Sequence, residues 1–229
     1  MKILNKSLIG LAGLATIGAL SAPASATIIT VTSFAQPNPT TVHIQSGTPN
    51  TSEYVYAGGF NTTNGTSSFV SWCVDIVQNT YLGVGVNNYT LVNAASVSQI
   101  GAARADALGR LATQYLGQVN NATTSAAFQL AAWEIVFETA GNPYNMSGGN
   151  FLAWGASDNS IGLAQTWLNN LPGSSTYSVS VWSSPTHQDL AVFTNVPEPA
   201  TLGLLAIGLI GAGFAKKRKA KAAGDSTAA

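Results

Sequence analysis

The sequence predicts an α+β fold: a β-rich domain with a helical insertion of about three helices, plus a signal peptide and a C-terminal transmembrane helix. Alternating apolar segments fill the first part of the chain, segments of helical period fill the middle, and two more alternating segments follow. Because strands flank the helices instead of alternating with them, this order favours α+β over a repeated βαβ pattern.

The predicted strands alternate apolar and polar residues between turn-forming Pro, Asn and Gly. In chain order they are TIITVTSF, TVHIQSG, EYVYAGGF, SFVSWCVDIV, TYSVSVW and DLAVFTN. In the fourth of them, strict alternation places Phe69, Ser71, Cys73 and Asp75 on one face.

Three segments have helical period. The first, SVSQIGAARADALGRLATQYLGQ, predicts a buried stripe of Ile100, Ala103, Ala107, Leu108, Leu111 and Tyr115. The second predicts a helix over Ala126–Glu138, with Thr124 or Ser125 as N-cap. A third helix is expected around SIGLAQTWLNNL, which ends before Pro172 and Gly173.

Residues 1–26 are typical of a secretory signal peptide. Lys2 and Lys6 precede the apolar stretch Leu8–Leu20, and the segment ends in Ala-Ser-Ala. Small residues before Ala26 suit signal peptidase, so we expect cleavage after this residue. The exported domain would then comprise residues 27–195.

Residues 196–229 combine three elements in order. Pro197, Glu198 and Pro199 precede an uncharged apolar segment at 200–215, and a block of lysine and arginine follows. As a helix, the apolar segment would be about 24 Å long, short for a bilayer core of about 30 Å but workable when flanking lysines snorkel. The basic block predicts that this end stays cytoplasmic and residues 27–195 lie outside.

This arrangement resembles the PEP-CTERM sorting signal of Gram-negative bacteria. The resemblance implies export through the inner membrane, transient anchoring by the C-terminal helix and processing by an exosortase, a membrane enzyme that cuts near the Pro-Glu-Pro site. It further implies a mature protein at the cell surface or in the exopolysaccharide matrix. The motif is an address and carries no activity.

The charges of the exported domain exclude some partners. Residues 27–195 hold seven acidic residues and two basic ones, Arg104 and Arg110, so the net charge is 2 − 7 = −5, and they contain no lysine. The absence of a basic patch argues against nucleic acid and against an anionic glycan held by ion pairs. Two scattered histidines give no metal-ligand spacing, and we expect no metal, no cofactor and no enzyme activity.

Cys73 is the only cysteine of the chain, so it has no partner for an internal disulfide. In the second predicted helix, Gln129 lies on the same face as Ala132 and Trp133. A buried amide beside a thiol needs hydrogen-bond partners, and it has a chemical purpose if the two side chains react.

The pair SWCVDI and FQLAAWEI resembles the thioester domains of bacterial surface adhesins, which carry a Cys-x-Asp-like strand and a Thr-Gln-x-Ala-x-Trp helix. The resemblance implies a Cys73–Gln129 thioester, with Asp75, Ala131 and Trp133 at the supporting motif positions. Phe128 stands where the motif has threonine. The resemblance to thioester domains also implies adhesion through capture of an amine on a surface or matrix target.

The residues themselves leave alternatives open. A buried cysteine also serves as a small apolar side chain, and Gln129 as an ordinary polar helix residue. The chain would then be a structural or carbohydrate-binding matrix protein, with Trp154 and Trp182 as candidates for stacking on sugars. Glu134 and Glu138, one helical turn apart, are expected on a solvated face.

Overall fold

A closed β-barrel is the centre of the fold. The computed structural model of the protein describes residues 26–196; the predicted signal peptide, the Pro-Glu-Pro triplet and the 200–215 helix lie outside the described residues. The barrel strands, in the order in which they pair, are β1 (Thr27–Phe34), β4 (Phe60–Thr63), β5 (Ser68–Cys73), β9 (Leu190–Asn195), β8 (Tyr177–Ser183) and β6 (Gly85–Asn93). All six neighbouring pairs of the barrel are antiparallel.

A second, three-stranded sheet lies beside the barrel. Its strand order is β3 (Asn50–Ala57), β2 (Thr40–Gly47) and β7 (Phe151–Trp154), again antiparallel. The helices are α1 (Gly101–Tyr115), α2 (Ala122–Phe137) and α3 (Ser160–Asn169). This arrangement confirms the predicted α+β class with about three helices. No helix within residues 26–196 has the length and apolar character to cross a membrane.

Helix α2 is buried on all sides, which sequence periodicity did not predict. All residues from Ser125 to Phe137 are buried, because α1, α3, β5 and the second sheet surround the helix. Asn121 caps its N-terminus in a reciprocal capping box with Thr124. The predicted cap at Thr124 or Ser125 is therefore wrong, and the helix begins one turn earlier because Asn121 supplies the better-placed acceptor.

A hydrogen-bonded carboxylate links the helices to the second sheet. Asp158 accepts from the hydroxyl of Thr40 in β2 at 2.7 Å and from that of Thr123 in α2 at 2.9 Å. It also accepts from the backbone N–H of Ser160, the first residue of α3. One acidic side chain thus fixes three elements relative to one another.

Several predicted elements differ from the observed ones. EYVYAGGF is two strands, since the chain turns at Gly58 and Gly59 between β3 and β4. SFVSWCVDIV pairs only as far as Cys73, because Asp75 turns the chain immediately afterwards. The sequence analysis missed β6 and β7. On α1, Ala103 is exposed while the other stripe residues are buried.

Substitution of Gly59, in the turn between β3 and β4, tests the close packing between the two sheets. A Cβ atom at Gly59 would lie 2.9 Å from the indole ring of buried Trp72. We expect Gly59→Ala to lower the free energy of unfolding by about 1–3 kcal/mol, because the rigid ring cannot move aside without disturbing the core. The measurement is the urea midpoint of the purified protein.

Gly117→Ala is the matched control, since no atom lies within 4 Å of a Cβ at that position. It should change the free energy of unfolding by less than about 0.5 kcal/mol. Equal midpoints for the two variants would contradict the packing argument.

Candidate functional site

The candidate site lies where the strand ladder of β5 ends. Strand β4 pairs with β5 only up to Ser71, whereas β9 continues alongside Trp72 and Cys73. The backbone of Cys73 therefore has a strand partner on the β9 side and none on the other. A side chain from α2 occupies that open position.

Gln129 pairs with the backbone of Cys73 through both ends of its carboxamide. The Cys73 N–H donates to Gln129 Oε1 at 3.0 Å, and Gln129 Nε2 donates to the Cys73 carbonyl at 2.8 Å. Gln129 has no exposed surface and Cys73 is 3 % exposed. The carboxamide thus takes the place of a strand residue beside Cys73. The two residues predicted to form the site, Cys73 and Gln129, are in direct contact in the core.

The environment of the thiol favours its neutral form. Burial, with the charge of Asp75 adding to it, raises the pKa of the Cys73 thiol well above its usual value. Cys73 is therefore protonated at neutral pH. This state is the opposite of the activated thiolate that a cysteine hydrolase or transferase uses.

Two aromatic rings pack next to each other beside the pair. Trp72 and Phe128, the residues that precede Cys73 and Gln129, pack with ring centroids 4.4 Å apart, and Phe128 also contacts Phe193 edge-on. Trp72 and Phe128 are at most 1 % exposed. The position where the adhesin motif has threonine is thus filled by a fully buried aromatic ring.

The three supporting residues have different positions. Asp75 accepts the backbone N–H of Val77 at 2.7 Å, so its carboxylate holds the turn after β5. Ala131 is fully buried in α2, two residues from Gln129 and hence on a different side of the helix. Trp133, one turn after Gln129, shares a cleft with Cys73, and its buried Nε1 has no hydrogen-bond partner among the described residues.

That cleft leads from the surface to the sulfur-bearing residue, and sequence reasoning missed most of it. Its volume is about 350 Å³. Strand β3 contributes residues 53–56, the segment after β5 contributes Ile76, Gln78, Asn79, Thr80 and Leu82, and Gln188 lies two residues before the start of β9. Nothing in the sequence relates β3 to Cys73, because the pairing of β3 with β2 brings it there.

The histidines and carboxylates form no second site. His43 stacks on Trp154 with ring centroids 4.1 Å apart, and His187 contacts the hydroxyl of Thr186. Across residues 26–196, no three side chains of His, Cys, Asp or Glu are grouped to hold a metal ion.

Glu134 and Glu138 correct an expectation, since both are buried rather than solvated. Glu134 lies on the buried part of α2, and Glu138 is the C-cap residue of this helix. Glu138 accepts backbone N–H groups of Thr139 and Asn150, and Glu134 accepts that of Asn145. Burial raises the pKa of Glu134 to about 7, the Asn145 N–H opposes this shift, and the charge of Glu138 adds to it.

The C-terminal part of the chain matches a known protein-sorting motif. Residues 195–219 match the PEP-CTERM protein-sorting motif. The match includes the predicted Pro197, Glu198 and Pro199 and begins at Asn195, the last residue of β9. It indicates an exported exosortase substrate with a C-terminal membrane anchor before cleavage. The chain matches no curated protein and no solved structure.

The Gln129–Cys73 pairing predicts a stability effect. Gln129→Met keeps a side chain of similar volume but leaves the N–H and C=O of Cys73 without partners in the core. We expect the free energy of unfolding to fall by roughly 2–4 kcal/mol, since each buried orphan group costs about 1–3 kcal/mol. Gln114→Met on the exposed side of α1 should change the urea midpoint little; equal losses in both would contradict the role of the pairing.

The raised pKa of Glu134 predicts that stability falls with rising pH. The folded state holds this proton up to about pH 7, whereas the unfolded chain releases it near 4.5. Stability is therefore greatest below about pH 4.5 and is lost as pH rises through 7, by on the order of 3 kcal/mol in all. Glu134→Gln, neutral throughout, should remove this part of the pH dependence of the urea midpoint.

Asp106→Asn is the control for charge, because Asp106 is an exposed acid paired with Arg110. This variant should keep the wild-type pH dependence. The same pH dependence in Glu134→Gln as in wild type would contradict the assignment of the proton to Glu134.

Proposed function

We propose that the exported domain forms an internal thioester between Cys73 Sγ and Gln129 Cδ and uses it for covalent adhesion to an amine-bearing target. The observation that supports this most directly is the docking of the Gln129 carboxamide on the backbone of Cys73. The acyl carbon is thereby held beside the residue that carries the thiol. Both partners are fixed before reaction, so little entropy is lost in joining them.

Formation of the bond exchanges sulfur for ammonia. Cys73 Sγ attacks Gln129 Cδ, the Cδ–Nε2 bond breaks, and the thiol proton leaves with the nitrogen as ammonia. The Cys73 N–H already donates to Gln129 Oε1 and is placed to stabilise the negative charge that develops on this oxygen. Because the proton departs with ammonia, the neutral thiol needs no separate resident base.

In the second step, the thioester reacts with an amine of the target. A primary amine attacks the acyl carbon, the Cδ–Sγ bond breaks, and the products are an amide on Gln129 and a free Cys73 thiol. The thioester is consumed, so each molecule acts once and is not an enzyme. The burial of Gln129 and the packed rings of Trp72 and Phe128 support a long-lived bond, since they limit the access of water to the acyl carbon.

The composition and the sorting signal agree with this use. Residues 27–195 contain no lysine, so no side-chain amine of the domain itself competes for the acyl group. The PEP-CTERM motif delivers the domain outside the cell. We propose the surface or exopolysaccharide matrix of a Gram-negative-type bacterium as the place where the mature protein acts.

Intact mass tests the proposal. Freshly purified protein should weigh one ammonia less than its sequence, and methylamine should add to Gln129 while freeing one titratable thiol. Cys73→Ser, which keeps the size of the side chain but lacks sulfur, should have its full sequence mass and take up no methylamine. Export should not differ between the two, because the sorting signal is unchanged.

A full-mass wild-type protein with an immediately titratable thiol would contradict the thioester. Non-covalent carbohydrate binding would then be the better candidate. One feature favours it: pairing of β2 with β3 and β7 places Tyr54, His43 and Trp154 in one row, and Tyr54 and Trp154 are exposed. Such rings stack on sugars in many binding proteins.

A further inference from the structure

The cleft above Cys73 has a strand as one wall. Residues 53–56 of β3 line it on one side, segment 76–82 lines it on the other, and Cys73 and Trp133 lie at its base. Any molecule that approaches the proposed thioester through this cleft therefore passes along β3.

Strand β3 is at the edge of its sheet. Among the described residues it pairs with β2 and with no other strand. In an antiparallel pair, alternate residues direct their N–H and C=O groups away from the partner, so β3 presents a row of backbone donors and acceptors at its outer edge.

This edge has little of the usual protection against strand addition. Exposed edge strands normally carry lysine or proline, a bulge, or an inward-pointing charge that hinders pairing with another chain, and of these β3 has one, the charge of Glu53. The eight residues of β3, NTSEYVYA, contain neither lysine nor proline, and their register with β2 is continuous over all eight pairs. An edge of this length and regularity is suited to receive an extended segment.

The charge of the cleft complements an amine. In the strand register, Glu53 of β3 lies opposite Ile44 of β2, whose side chain is buried. Glu53 is therefore on the face of the sheet that is turned toward the core, and it lies at the exposed edge of that face. It is the one carboxylate among the described residues that line the cleft, and no lysine or arginine lines it. A positively charged side chain that enters beside β3 meets Glu53 on its way to Cys73.

We propose that the free edge of β3 binds an extended polypeptide segment by strand addition and directs a lysine of that segment past Glu53 to the Gln129 acyl group. The inference rests on the proposed thioester and names its target class. Backbone hydrogen bonds supply affinity independent of sequence, while the long, flexible lysine stem reaches the base of the cleft. The ammonium group first loses a proton to water; the free amine then attacks, the amide forms as the Cδ–Sγ bond breaks, and a second amine proton passes to Sγ to give the thiol.

The test compares amines of equal reactivity but different backbones. A peptide of alternating Thr and Val around a central lysine should be acylated by the Gln129 thioester about tenfold or more faster than N-acetyl-lysine methylamide at the same concentration. A factor of ten corresponds to about 1.4 kcal/mol, which one or two net backbone hydrogen bonds supply. The measurement is the rate of adduct formation by intact mass.

N-methylation of the peptide backbone tests whether the peptide forms backbone hydrogen bonds with the edge of β3. Two versions of the peptide carry N-methyl groups on alternate residues, one version on the odd and the other on the even positions. One version should lose the rate advantage and the other should keep it, because only one set of N–H groups faces β3. Equal rates for both methylated versions would overturn strand addition.

Glu53→Gln should lower the rate with the lysine peptide several-fold and change the methylamine rate less, since methylamine reaches the acyl carbon without β3. Asp106→Asn, the same charge change on the exposed side of α1, should leave both rates unchanged. An equal effect of the two substitutions would overturn the role of Glu53.

Methylamine separates the two proposals. If methylamine adds to Gln129 but the peptide reacts no faster than N-acetyl-lysine methylamide, strand addition is wrong and the thioester stands. If methylamine does not add, both proposals are wrong. A de-N-acetylated hexosamine polymer that reacts faster than the peptide would also overturn the inference, since it would identify an amino-sugar target.

Discussion

The structure depends on one carboxamide that substitutes for a strand residue. Strand β5 extends past the end of β4, and without Gln129 the backbone of Cys73 would be an open ladder position inside the core. The two hydrogen bonds satisfy this position and also lock the rotation of α2 about its own axis. Because α2 is surrounded by α1, α3 and both sheets, fixing it relative to β5 fixes the rest of the domain around it.

Sequence reasoning recovered the class of the fold and the proximity of Cys73 and Gln129, but not the architecture that brings them together. The alternation of TVHIQSG and the stripe on α1 are local signals, and both predicted real elements. Barrel closure between β1 and β6 is non-local, and GVNNYTLVN was missed because its polar residues obscure the alternation. The proximity of Cys73 and Gln129 followed from motif resemblance, whereas the cleft and the β3 edge depend on sheet pairing that no local pattern encodes.

The lack of lysine in residues 27–195 has two physical consequences in this fold. It removes side-chain amines that would compete for the proposed thioester, and it removes the residue that most often protects an edge strand. An exposed edge whose only inward-facing charge is Glu53 can pair with another copy of the chain. A net charge of −5 on residues 27–195 reduces that risk through repulsion between copies, and it leaves the edge open to a basic segment.

The two hydrogen bonds between Gln129 and the backbone of Cys73 explain why the amide product of the proposed amine capture would fit the core as well as the original carboxamide. A thioester keeps the acyl oxygen that accepts from the Cys73 N–H but has no group to donate to the Cys73 carbonyl, so that carbonyl loses a partner in the core. Attack by a primary amine restores an N–H on the acyl carbon, and this N–H can donate to the Cys73 carbonyl as Nε2 did. The second hydrogen of the original carboxamide is replaced by the target, which must leave through the cleft. Relief of an unpaired buried carbonyl thus adds to the intrinsic preference of an acyl group for nitrogen over sulfur, and both favour capture over return to the thioester.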